Sequence, residues 1–184
     1  MKKRVLVIFI SFLFFVKPNL SFAENWEPIL QVFPILTKNT DLLNTRITEV
    51  LKQFSGQNDR HIKNLKTILS FRTALPIEVC IKSFNEMGEA CIENLKIQRE
   101  LMSLMRLWYH LILLQDEILI VKLLLTHNPN LKGSERIKDI IKLGINYSLN
   151  SINEALKDKD ISYESSSVVR KIKSDLEEVL VILQ

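Results

Sequence analysis

Glycine and proline are scarce in this chain, four and five among 184 residues. An all-β fold needs a turn signal every ~8–12 residues, so that class is excluded and long helices become the default. Cysteine is nearly absent as well: Cys80 and Cys91 are the only two, far too few for a disulfide-built scaffold. The catalytic signatures are also missing. There is no GxSxG elbow, no glycine-rich phosphate loop and no HExxH, and no Glu-x-x-His tetrad of the kind that helical bundles use to hold a pair of metal ions. The three histidines, His61, His110 and His127, stand 49 and 17 residues apart, so no two are helical neighbours able to share a zinc ion. Met102 and Met105 in a leucine-rich stretch read as core filling, not copper ligands. No cofactor, no metal and no enzymatic activity are expected.

What the chain does have begins at its N-terminus. Lys2, Lys3 and Arg4 precede an unbroken apolar run, Val5 to Val16, and Ser21-Phe22-Ala23 supplies a small-x-small site. That order is the order of a secretory signal peptide. The run has 12 residues, short of the ~20 that a helix needs to cross a bilayer. The expected organisation is therefore a leader over residues 1–23, cleaved after Ala23, followed by one all-helical domain over 24–184. A periplasmic or secreted location follows, with no membrane span after cleavage.

Charge excludes another class of partner. Of the 25 Lys and Arg, four lie in the leader, which has no acid, so residues 24–184 carry 21 bases against 21 acids. A nucleic-acid surface needs an excess of positive charge to release counterions from phosphates. Balanced charge supplies none, and nucleic acid is excluded.

Apolar periodicity lays out the helices. Pro28 and Pro34 confine Glu24 to Thr37 to a short, irregular cover anchored by Trp26, Ile29, Leu30 and Phe33. Leu43, Ile47, Val50, Leu51 and Phe54 predict a helix that Gly56 stops, and Ile62, Leu65, Ile68 and Leu69 a second that Pro76 ends. From Ile77 to Leu95 one stripe persists, and from Leu101 to Leu125 the pattern is apolar on most of its circumference, with Arg99, Ser103, Arg106, His110 and Glu117 as the main polar positions. A helix of that kind must be covered on several sides. Asn128-Pro129-Asn130 makes a turn, Ser134 opens a helix whose small residues Gly144 and Ser148 permit close approach, Lys157 to Asp160 form a charged connector, and a last helix starts near Glu164. The fold predicted is an all-α bundle of five or six helices around the long apolar central helix.

An even cysteine count in an exported chain favours a disulfide. On a continuous helix Cys80 and Cys91 would lie about 16 Å apart, whereas a disulfide needs Cα atoms within ~7 Å. A bridge therefore requires the chain to turn back, which Gly88 could allow. Two reduced thiols on one stripe, an intermolecular bridge and a redox-active pair without CxxC spacing are the alternatives.

With no catalytic constellation, elimination leaves an interaction or scaffolding role. The apolar girth of the central helix exceeds what its neighbours can cover, and the surplus is expected to form a homo-oligomer or protein-partner surface. Met105, Trp108, Tyr109 and His110 are the candidate residues. The rival expectation is a bundle that holds a small apolar ligand in a pocket near Trp108.

Overall fold

A computed structural model of the chain describes residues 24–70 and 77–184, with the side chains of 24–60, 62, 63, 82 and 85–184. The leader, Pro76 and the side chains of Leu65, Ile68, Leu69, Ile77, Cys80, Ile81 and Phe84 lie outside the described set. Among the described residues there are four helices and no strand: α1 (Glu27–Ser70), α2 (Ile77–His127), α3 (Ser134–Lys157) and α4 (Tyr163–Ile182). The expected five or six helices are thus four, because three predicted breaks do not interrupt the chain.

The first predicted break fails for reasons of position. Pro28 stands in the first turn of α1, where a backbone N–H would have no partner anyway. Pro34 lies inside the helix and removes a hydrogen bond at a cost of ~3 kcal/mol, but it is exposed while Ile29, Val32 and Leu36 around it are fully buried. Burying three such side chains gains more, at about 1.5–3 kcal/mol each. Gly56 and Gly88 take helical conformations in turn, since the single positive φ at a described glycine is that of Gly133. A glycine in a helix costs only ~1 kcal/mol.

The continuity of α2 through Gly88 corrects the disulfide expectation. Cys80 and Cys91 stand eleven residues apart on one helix, which at 1.5 Å per residue is ~16 Å. That is more than twice the span a disulfide can bridge.

The helices pack as a ring in which each lies mainly against two neighbours: α1 meets α2 and α4, and α3 meets α2 and α4. All four contacts are antiparallel: side-chain pairs oppose α1 to α2 and α4 and α2 to α3, which leaves α3 and α4 opposed as well. Thr37 with Gln115 and Arg46 with Glu100 join α1 to α2, Lys38 with Asp175 joins α1 to α4, and Arg106 with Glu154 joins α2 to α3. Buried positions recur at intervals of three and four. In α1 the series is Ile29, Val32, Leu36, Asn39, Leu43, Arg46 and Val50, with Thr40 and Ile47 buried beside it; in α2, Glu100, Leu104, Leu107, Leu111, Leu114, Ile118 and Val121; in α4, Ser165, Val169, Ile172, Leu176 and Val179, continued by Leu183 just past its end. This is the seam of a left-handed bundle.

Helix lengths do not match. At 1.5 Å per residue α1 and α2 extend ~66 and ~76 Å, whereas α3 and α4 reach only ~36 and ~30 Å. No described side chain of 51–63 or 82–98 is buried, so beyond Val50 and Glu100 the α1–α2 pair continues without the cover of α3 and α4. Leu51, Ile62, Ile92 and Leu95 are exposed on this extension, and Asn94 Nδ2 donates across it to Asn58 Oδ1 at 3.2 Å.

A polar layer marks the end of the four-helix region. Arg46 Nε donates to Ser165 Oγ at 2.7 Å, and its Nη2 to Ser162 Oγ at 2.9 Å and to Glu100 Oε1 at 3.3 Å. Glu100 Oε1 also accepts from both serine hydroxyls, and its Oε2 from the Ser162 backbone N–H at 3.3 Å. Ser162 is the N-cap of α4, accepting from Ser165 N at 3.2 Å. A buried carboxylate thus sits where the helix dipole favours negative charge. The opposite end is tied differently. Trp26 Nε1 donates to Leu131 O at 3.1 Å, and the Glu24 carboxylate accepts from Ser134 N at 2.7 Å and from its hydroxyl. Sequence reading gives Ser134 the cap role; here Glu24 supplies the acceptor.

Candidate interaction surface

Helix α2 is not a hub enclosed on all sides, as its composition predicts; it is one edge of the ring. Its core seam faces α1, α3 and α4, and a second apolar line runs along the opposite side: Met102, Met105, Tyr109, Ile112, Leu119 and Leu123, interrupted by Asp116. Met102 is 71% exposed, Tyr109 and Leu123 55% each, and Met105 and Leu119 just under half. Ile112 is half-buried and Asp116 exposed.

The spacing of this line is three, four, three, four, three and four. The core seam of the same helix has that same alternation, so α2 carries two heptad seams on opposite faces, and among the described residues only one of them meets other helices. Two seams also explain why α2 lacks the one-sided amphipathicity of α3 and α4.

The surface around the second seam is shaped. A groove of about 680 Å³, open to solvent, lies over Arg99, Met102, Met105, Arg106, Trp108 and Tyr109, with Asp158 from the α3–α4 connector at its margin. A smaller one of about 310 Å³ runs between α2 and α3, lined by His110, Leu113, Glu117, Ile140, Leu143 and Tyr147. Leu113, Leu143 and Tyr147 are exposed, so apolar surface continues from the seam onto α3.

The four residues singled out from the sequence divide among three aspects of α2. Met105 and Tyr109 belong to the outward seam. Trp108 turns to one flank and is half-buried, its Nε1 enclosed without a hydrogen-bond partner. His110 turns to the other, where Nδ1 lies 3.4 Å from Ser151 Oγ, and its ring meets Tyr109 at a centroid distance of 6.4 Å. Met102, Ile112, Asp116, Leu119 and Leu123 are absent from the sequence-derived set. Their alternating spacing was the signal that could have found them.

Burial sets the protonation of the second groove. It lowers the pKa of His110, with a smaller contribution from neighbouring Arg106, and it raises that of Glu117. Near neutrality His110 is uncharged, and the Glu117 carboxylate is held in an unfavourable medium. Neither geometry assembles a reaction centre. Among the described residues no group of three or more His, Cys, Asp or Glu could hold a metal ion, and no described helix is long and apolar enough to cross a membrane.

Comparison with protein-family models, with curated proteins and with solved structures found no match.

Proposed function

We propose that the chain is an exported helical-bundle protein, periplasmic or secreted, with a non-catalytic interaction role, and that the outward seam of α2 is the surface it uses. One observation carries this reading: six apolar residues hold heptad spacing on a face that no other described part of the chain covers. A core needs one seam per helix, and isolated exposed apolar residues need no explanation. A second seam in register over three heptads suits a partner helix, which would insert its side chains between those of α2.

A second reading, an apolar small ligand beside Trp108, draws on the larger groove, whose volume of about 680 Å³ falls in the range of ligand pockets. Such pockets enclose most of the ligand surface, and a groove open along its length suits a helix better. Tryptophan fluorescence separates the two: a small ligand shifts Trp108 emission with the assembly state unchanged.

The deciding experiment is native mass spectrometry of the protein as its host accumulates it. The expected result is a chain that starts at Glu24 and travels in a protein assembly dissolved by Leu119→Lys. Finding residues 1–23 retained in membranes overturns the export reading, and assemblies indifferent to Leu119→Lys overturn the interaction reading.

A further inference from the structure

We infer that the partner helix is α2 of a second copy of this chain, packed antiparallel across a two-fold axis near residue 111. The inference rests on the interaction reading above and adds the identity of the occupant.

The interrupting residue points to it. Asp116 is the one charged position in the seam, and any partner must meet it with a cation or leave the carboxylate without compensation. A parallel copy would place Asp116 against Asp116, two like charges in one layer. An antiparallel copy in the register that pairs Tyr109 with Ile112 also pairs Met102 with Leu119 and Met105 with Asp116. In that register Arg106 of the second copy, next in sequence to Met105, stands beside Asp116. The two-fold repeats the pair, so both carboxylates are met.

Arg106 is placed to serve. It lies on the edge of the seam, its side chain is 65% exposed, and among the described residues its ion pair is a loose 4.0 Å contact with a similarly exposed Glu154. All six layers then use residues of one helix segment, Met102 to Leu119. Such self-complementarity is what an isologous dimer requires. Nothing described obstructs it, because the uncovered α1–α2 extensions of the two copies point in opposite directions past the ends of the interface.

Charge reversal tests the register. The purified natural chain is expected to sediment as a dimer. Asp116→Arg sets Arg106 against an arginine, and Arg106→Asp sets Asp116 against an aspartate, so each variant alone should dimerise at least roughly tenfold more weakly. An equimolar mixture of the two variants restores both opposite-sign pairs and should recover a heterodimer of near-natural affinity. All substituted side chains are exposed, and unchanged circular dichroism checks that the fold is kept. A natural chain that stays monomeric at about 100 µM overturns the inference, as does a dimer that ignores both reversals. If the monomer nonetheless enters a host assembly that Leu119→Lys dissolves, self-pairing falls and the interaction reading stands.

Discussion

Arg46 and Glu100 have side chains only 6% exposed, and Arg46 is the cation that meets the Glu100 carboxylate. Removing Arg46 leaves the Glu100 carboxylate buried without a cation, at a cost of about 3–5 kcal/mol, whereas removing Glu100 leaves Arg46 its ion pair with Glu49 at 2.9 Å. Arg46→Ala is expected to lose that much in urea unfolding, and Glu100→Ala less, because Glu49 still meets the guanidinium. The double variant should lose less than the sum, because the second truncation removes the stranded charge. Glu117 offers a titratable contrast. Its folded pKa is raised by burial from an ordinary 4.5, so the fold favours the protonated acid and stability declines as pH rises from 4.5 through the folded value. Glu117→Gln removes that dependence. The variant should melt higher than the natural chain at neutral pH, with the gap closing as pH falls below 4.5. An equal gap at every pH would refute the burial account. His110 runs the other way: with its pKa depressed below 6.5, it favours the fold above that pH and withdraws support as pH falls toward the folded value.

At the scale of elements, the α2–α3 contact turns on one small residue. A Cβ built on Gly144 would stand 2.5 Å from Leu114 Cδ2 and 3.3 Å from its Cγ, and Leu114 is itself buried. Alanine would gain ~1 kcal/mol of helix propensity at this position, but overpacking a closed interface costs typically 1–3 kcal/mol. Gly144→Ala is therefore expected to destabilise the protein by about 1 kcal/mol, and Leu114→Ala in the same chain should relieve the clash. A double-mutant cycle in urea measures the coupling, and additive effects would show that the two helices do not meet there. The close approach itself was legible, since Gly144 and Ser148 stand on the apolar stripe of α3. The start of α4 was legible too, within one residue, because Ser162 precedes the periodic run and caps it. Helix ends at Thr37, Gly56 and Gly88 were not. At Pro34 the ~3 kcal/mol that a local rule counts is outweighed by burial of Ile29, Val32 and Leu36; at Gly56 and Gly88 no described neighbour is buried, and the ~1 kcal/mol cost of a helical glycine is small enough for the flanking helical residues to carry.

For the whole molecule, unequal helix lengths divide the fold into a four-helix region and a two-helix extension. Opening free energy follows buried contact, so amides of 51–63 and 82–98 should exchange hydrogen faster than those of 29–50 and 100–121. Mass spectrometry of peptides along α1 and α2 checks this, and uniform protection across Val50 and Glu100 would mean that something else covers the extension. Sequence alone determined the helical class, the charge balance of residues 24–184 and the presence of apolar side chains around α2, because these depend on composition and on periods of three to four residues. It also held the heptad spacing of Met102 to Leu123, but two seams on one helix read in sequence as a single all-round apolar stretch. Only the tertiary structure decided which seam is core, since that depends on where α1, α3 and α4 lie. It likewise decided that Cys80 and Cys91 stay apart, because a glycine permits a helix to end without requiring it, at a cost of only ~1 kcal/mol when the helix runs on.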